Sequence, residues 1–427
     1  MPQTPPAERV PTASIIVAGF STVVEWYDFT LYIYFATVLS RVFYGGGSAS
    51  LIATLAGFAI AYLMRPLGAF VFGHIGDRFG RRHTLLLSMA VMTAAMLVMA
   101  LLPTYAGIGP VAGVALLILR CVMGFAVGGE YTGVVAYLLE GAPEGRRGLI
   151  ASLAAAASEI GALLAVGVSA LTVHLIKGPA LDAWGWRIPF LVGAALALVV
   201  WIARSTMHES PEFERQRQSG STPAAPLLYT LKHHSRGVWR GFAISALGSI
   251  TYYVGIGYVP AFISSAGALP ESQALWLSTI AAVVVILVTP VVGALSDRVG
   301  RKPVLIALSL CSAVLPMTMF SLMSSGSSVR AMLGAVTLAA VAGGVSAVGA
   351  VTTAEQFPGE GRLSGLALGA TMATAIFGGF TPYLAQVLIA RTAWPMVPGV
   401  MIAVVAVAVL PVLVTLPETR SLQRRGD

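Results

Sequence analysis

The sequence predicts an all-α membrane protein: twelve transmembrane helices in two pseudo-symmetric six-helix bundles. Composition is the first sign. Of 427 residues, 57% are hydrophobic and only 10% are charged, and the mean hydropathy is +0.83. A soluble domain carries about 25% charged residues. So few charges cannot screen so much apolar surface, so lipid is the solvent for much of the chain. The same numbers exclude disorder. The second sign is a series of long apolar runs, and the third is a pair of loop motifs repeated half a chain apart. A net charge of +8 does not imply nucleic-acid binding, because the positive residues sit in short loops between apolar runs. Cys121 and Cys311 lie inside such runs, and neither cysteines nor histidines show a metal spacing. No nucleophile constellation or nucleotide loop points to an enzyme, and no cofactor is expected.

The spans follow in order. A helix crosses the hydrocarbon with about 20 apolar residues. Runs between Gly, Pro and charged breaks fall at about 14–38, 50–73, 84–102, 112–139, 148–172, 187–204, 239–264, 273–294, 303–323, 331–356, 364–389 and 394–416. The first contains Glu25 and Asp28 and lacks a small-residue cleavage site, so it reads as a retained span and not as a signal peptide. The runs are too long, and lack the period of two, for porin strands. With both termini in the cytoplasm, nineteen of the 26 Lys and Arg residues lie inside and five outside, while Arg65 and Arg120 lie within spans. That asymmetry sets the expected orientation.

The chain repeats itself. Gly73-His-Ile-Gly-Asp77-Arg78-Phe-Gly80-Arg81-Arg82 is echoed by Gly293-Ala-Leu-Ser-Asp297-Arg298-Val-Gly300-Arg301-Lys302, at an offset of 220 residues. Glu140, Pro143 and Arg147 are echoed by Glu355, Pro358 and Arg362 at an offset of 215. Residues 1–204 and 239–427 therefore read as the two bundles, and the polar stretch 205–238 as a cytoplasmic linker.

The duplicated G-x-x-x-D-R-x-G-R-[RK] loops resemble the signature of the major facilitator superfamily. Further runs resemble its metabolite:proton symporter family. These are Glu25-Trp-Tyr-Asp28-Phe, Met64-Arg65-Pro66-Leu-Gly68, Gly124-Phe-Ala-Val-Gly128-Gly129-Glu130-Tyr131, Trp184-Gly-Trp186-Arg187-Ile-Pro189-Phe190 and Ala375-Ile-Phe-Gly378-Gly379-Phe-Thr-Pro382. The resemblance implies the major facilitator fold, alternating access around a central site and proton-driven import. It also implies a prokaryotic inner membrane and a protein that functions as a monomer.

Charges at mid-bilayer cost about 2.5–3.5 kcal/mol on insertion scales, so those present deserve a role. Glu25, Asp28, Glu130 and Glu159 are the candidates for proton coupling. Glu25 and Asp28 share a helix face, which suits reversible proton loading or, structurally, pairing with Arg65. Arg120 and Tyr131, eleven apart, lie about 20° from one face. Arg120 can fork onto a substrate carboxylate, or onto a protein one such as Glu159. Glu159 sits among small residues, as either a proton carrier or that partner. Tyr131, Tyr27, Tyr252, Tyr253, Thr381 and Gln386 complete the expected binding set; an aromatic box for a quaternary ammonium is one use of the rings, and packing is the other. Asp77, Arg78 and Arg81, with Asp297, Arg298 and Arg301, read as gates, by capping a helix or pairing with neighbouring arginines, or as plain topology signals. Glu140/Arg147 and Glu355/Arg362 read as a second layer of the same latch. Gly378, Gly379 and Pro382 mark a break in the eleventh span.

The leading expectation is a proton symporter for a small organic carboxylate such as citrate or α-ketoglutarate, because Arg120 favours anions and the Ala375-Ile-Phe-Gly378-Gly379 run resembles the organic-acid members. A proline- or betaine-type osmolyte importer is the alternative. A proton/drug antiporter is a weaker reading, since the fifth span lacks its Gly-Pro motif. The expected partners are this small molecule, protons and the lipid bilayer.

Overall fold

A computed structural model describes residues 12–79, 81–128, 146–205, 232–265, 269–357 and 365–419, apart from the side chains of 12–19, 73–79, 81–85, 154 and 367. Among the described residues every regular element is helical. Eight helices are each long and apolar enough to cross a membrane, and Ser235–Gly257 with Val259–Ser265 forms a ninth, bent by 44°. The apolar helices Leu86–Leu101 and Val111–Ala126 are shorter. Thr12–Tyr34, continued by Ala36–Tyr44 after a break at Phe35, completes twelve.

The two halves repeat one packing scheme. In the first, span one lies on span five, two on four, and three on six; in the second, seven lies on eleven, eight on ten, and nine on twelve. Between the halves, five packs on eight and two on eleven. These pairs exchange under the same pseudo-two-fold, as an internal repeat requires. Glycines permit the closest crossings. A Cβ on Gly161 would lie 2.2 Å from the Val23 carbonyl oxygen, and one on Gly124 2.1 Å from that of Ala61.

Several expected boundaries shift. The first span runs past 38 to Tyr44, where Gly45 closes it at φ +84°. The fourth, expected over 112–139, is helical to Ala126, and 129–145 lie outside the described residues. The seventh begins at Ser235, inside the expected linker 205–238. Arg236 and Arg240 are polar yet helical there, because only the apolar part of a span must sit in lipid. Glu355 ends the tenth span's helix, and Asp297 lies within the last turn of the eighth and not beyond it. Pro66, Pro290, Pro316 and Pro411 sit inside helices, as spans packed on neighbours tolerate.

The seventh and eleventh spans carry π-helical turns at Tyr253–Gly257, Ala367–Thr371 and Thr374–Phe380. The last contains Gly378 and Gly379, where the sequence marks a break. Such turns gather at functional sites because the extra residue re-aims its neighbours.

Candidate functional site

A cavity of about 160 Å³ lies between the halves. Glu25 and Trp26 of the first span, Arg65 of the second, and Ser158 and Glu159 of the fifth face it from one side. Opposite them stand Ser245, Ser249, Tyr252 and Tyr253 of the seventh, Thr353 of the tenth, and Thr371 and Thr374 of the eleventh. Tyr252 and Tyr253 are consecutive, and an α-helix would turn them 100° apart. The π turn, closed by the Tyr258 amide on the Tyr253 carbonyl at 2.8 Å, begins there, and both rings face the cavity.

The charged residues of the cavity lining all belong to the first half; Glu25 pairs with Arg65 as the structural reading of the first span has it, whereas the partner of Arg120 differs from the expectation. Arg65 holds Glu25 at 3.2 Å and lies 3.7 Å from the Phe29 ring centroid and 4.6 Å from that of Tyr62. Arg120 does not line the cavity. It is fully buried, and its Nη1 donates to both Asp28 oxygens at 3.0 and 2.9 Å. The rings of Phe29 and Tyr32 cover its guanidinium at 5.5 and 4.7 Å. The expected Arg120–Glu159 pair is therefore absent: Asp28 takes Nη1, and Nε and Nη2 are buried with no hydrogen-bond partner among the described residues. Glu159, 3% exposed, instead accepts a long 3.4 Å hydrogen bond from the Tyr252 hydroxyl, across the two halves. Among the described residues it has no ion pair.

The aromatic wall is ordered. Trp26 meets Tyr252 edge-on at 5.5 Å and stacks on Tyr253 at 6.4 Å. The Tyr62 and Tyr253 hydroxyls share a 2.5 Å hydrogen bond that bridges the halves above Arg65. Thr353 Oγ1 is buried on the cavity wall without a hydrogen-bond partner among the described residues.

Other expected binding residues lie elsewhere. Tyr27 donates to the Pro189 carbonyl at 2.7 Å, Thr381 to that of Phe377 at 2.6 Å, and Gln386 accepts from Tyr258. Glu130 and Tyr131 lie outside the described residues. Trp26 joins Tyr252 and Tyr253 as an aromatic box would require, while Arg65, Ser158, Ser245, Ser249, Thr371 and Thr374 were not among the expected binding set. Their signal was available: Ser245, Ser249 and Tyr252 recur at helical spacing on one face, as do Thr371 and Thr374.

Latches bridge the halves at both ends. At the end where most arginines gather, the basic end, the carboxylate of Asp297 caps the fifth span by accepting the Gly148 and Leu149 amides, both at 2.9 Å. Arg301 pairs with Asp297 at 2.7 Å and reaches Glu355 at 3.5 Å. Glu355 thus meets Arg301, and Thr419 donates to it at 2.5 Å; the expected partner Arg362 lies outside the described residues. Glu418 accepts the Arg301 and Lys302 amides at 2.9 and 3.1 Å. Gly300, just before them, has φ +120°, which only glycine adopts readily, and this is the physical reason for the glycine in the motif. Arg298 is exposed in the same turn. Arg147 starts the fifth span, Glu140 lies outside the described residues, and the side chains of Asp77, Arg78 and Arg81 are likewise not described. At the far end Arg41 pairs with Asp182 at 3.3 Å and, across the halves, with Glu271 at 3.1 Å. Thr37 also donates to Glu271.

Twelve spans, a repeated half, a polar cavity at the pseudo-symmetry axis and a latch at each end define a transporter that works by moving two bundles about one site. The families described as "Sugar (and other) transporter" and "Major Facilitator Superfamily" match residues 14–235 and 266–426. The ectoine/proline transporter ProP of Corynebacterium glutamicum is 34% identical over 95% of this chain and 84% of its own length. Alpha-ketoglutarate permease of Escherichia coli is 33% identical, covering 87% and 86%. The citrate-proton symporter of Klebsiella pneumoniae is 32% identical, covering 88% and 85%. The fold matches the proton:xylose symporter XylE with a TM-score of 0.77 at 20% identity, over 95% of this chain and 96% of that one. The chain belongs to the major facilitator superfamily.

Proposed function

We propose that the chain is a proton-driven importer of a small zwitterion, with one carboxylate and one substituted ammonium, of the proline or betaine type. It works in a prokaryotic inner membrane with its basic end and both termini in the cytoplasm. The composition of the cavity carries this reading: two carboxylates, Glu25 and Glu159, one guanidinium, Arg65, and the rings of Trp26, Tyr252 and Tyr253. A di- or tricarboxylate would meet two acids and a single cation already engaged by one of them. A zwitterion sets its carboxylate toward Arg65 and its ammonium over the rings, where a desolvated cation–π contact is strongest. Arg120, on which the organic-acid reading leans, is buried against Asp28 and does not line the cavity.

Glu159 carries the proton in this reading. Its hydrogen bond to Tyr252 joins the halves, so its charge state bears directly on the contact that rocking must remake. Import begins with Glu159 protonated and solute bound from the far end. The halves then exchange latches, and the proton and solute leave at the basic end.

The test is uptake of labelled proline, betaine, ectoine, α-ketoglutarate and citrate into proteoliposomes. Accumulation of the zwitterions under an inward proton gradient, abolished by a protonophore, is the expected result. Accumulation of the dicarboxylate or citrate alone would establish the organic-acid reading instead. Uptake sustained by sodium without a proton gradient would replace the coupling ion.

A further inference from the structure

Away from the central cavity, a second concavity of about 540 Å³ opens at the basic end, between the start of the seventh span and the end of the twelfth. One wall is Arg236, Trp239 and Arg240; the other is Pro411, Val412 and Thr415. Arg236 and Arg240 are four apart, so their guanidiniums stand one turn above another on a single face. Trp239 is 63% exposed, yet its ring is fixed by stacking on Phe242 at 5.6 Å and 11°. The opposite wall ends the apolar helix Val397–Thr415.

The depth of this groove matters. The seventh span turns apolar just after Arg240, and the twelfth is apolar up to Thr415, so both walls cross the boundary between hydrocarbon and headgroups. A guanidinium pair at that depth faces phosphate diesters, and the apolar wall beside it faces acyl chains. Two cations against one phosphate leave an excess positive charge when the headgroup is zwitterionic and little when it is anionic. We infer that the groove is a binding site for an anionic phospholipid of the leaflet at the basic end. Its phosphate lies between Arg236 and Arg240, and an acyl chain runs along Trp239 and Val412. A soluble anion would use the arginines and leave that apolar wall uncovered. Both walls belong to the second half, so the lipid travels with that half and leaves the contacts between halves free to rearrange.

The test needs no transport. Delipidated, monodisperse full-length protein is titrated with phosphatidylglycerol or with phosphatidylcholine, and adducts are counted by native mass spectrometry. The wild type should prefer phosphatidylglycerol by about tenfold or more, and Arg236→Gln/Arg240→Gln should weaken that lipid by about twentyfold, near fivefold per arginine. Equal affinity of the wild type for both lipids would overturn the site, whatever the variant does. So would unchanged phosphatidylglycerol binding in the folded double variant. Displacement of phosphatidylglycerol by millimolar inorganic phosphate would assign the arginines to a soluble anion and overturn the lipid.

Discussion

Glu159→Gln keeps the shape of the protonated acid and cannot release a proton. On the proposed mechanism it binds solute at least as well as wild type and exchanges it across the membrane. Binding becomes independent of pH, and accumulation driven by a proton gradient fails. Binding to purified protein at pH 5.5 and 8, alongside vesicle accumulation, checks this; pH-dependent binding with normal accumulation would move the proton to Glu25. Trp26→Ala removes the ring that touches both cavity tyrosines and should weaken a betaine-type ligand by about 2 kcal/mol, or thirtyfold. Trp26→Phe should recover part of it, and calorimetry with betaine separates the two. That the charged residues matter was legible in the sequence, since a mid-bilayer charge needs a reason. How they pair was not. Helical angles say which face Arg120 occupies but not which neighbouring helix supplies its carboxylate; Glu159 was the protein partner named, and Asp28 holds it instead. The spacing of the cavity hydroxyls puts them on one face, but spacing does not tell which hydroxyls are free to meet a solute. Thr251, Thr289 and Thr352 bond back to carbonyls of their own helices at 2.8, 2.6 and 2.7 Å, and in a sequence they look the same as Thr371 or Thr374.

At the level of elements, the fifth and eighth spans cross where two glycines meet. A Cβ on Gly148 would lie 2.8 Å from both the Asp297 Oδ1 and the Gly293 carbonyl oxygen, and one on Gly293 would lie 2.9 Å from the Gly148 carbonyl oxygen. Gly148→Ala therefore forces the cap on the fifth span apart at a cost of about 1–3 kcal/mol, the range of overpacking. It should shift the protein toward opening at the basic end, seen as faster labelling of a cysteine placed in the cavity wall by a reagent applied from that side. Unchanged labelling would show that the crossing is not the hinge contact. Span number and repeat were readable because hydropathy and duplicated loops are properties of the chain alone. The π turns were partly legible: Gly378 and Gly379 announced a break in the eleventh span, while Gly255, Gly257 and Pro260 stand beside the turn at Tyr253–Gly257 and were not read as one.

Across the whole molecule the two latches are unequal. The pair that crosses at the far end, Arg41 and Glu271, keeps 38% and 19% of its side-chain surface in solvent, and pairs so exposed contribute about 0–1 kcal/mol. Arg301 and Asp297 keep 6% and 10%, and the carboxylate also accepts two amides; hydrogen bonds to such a charge contribute about 1.5–3 kcal/mol. The far end should thus open more readily. Asp297→Asn should shift the population toward the state open at the basic end by about tenfold, and Glu271→Gln should shift it the other way by a smaller factor. Spin-label distances across each end read both shifts. Raising salt should loosen the far latch and leave the basic one nearly unchanged. The basic latch has a further property that concerns how the protein is made. Glu418 and Thr419, which hold Arg301 and Glu355, leave the ribosome after every other described residue. Until synthesis has passed them, the turn at Gly300 lacks the carboxylate that holds the Arg301 and Lys302 amides, so the last residues made complete the second half's side of the latch.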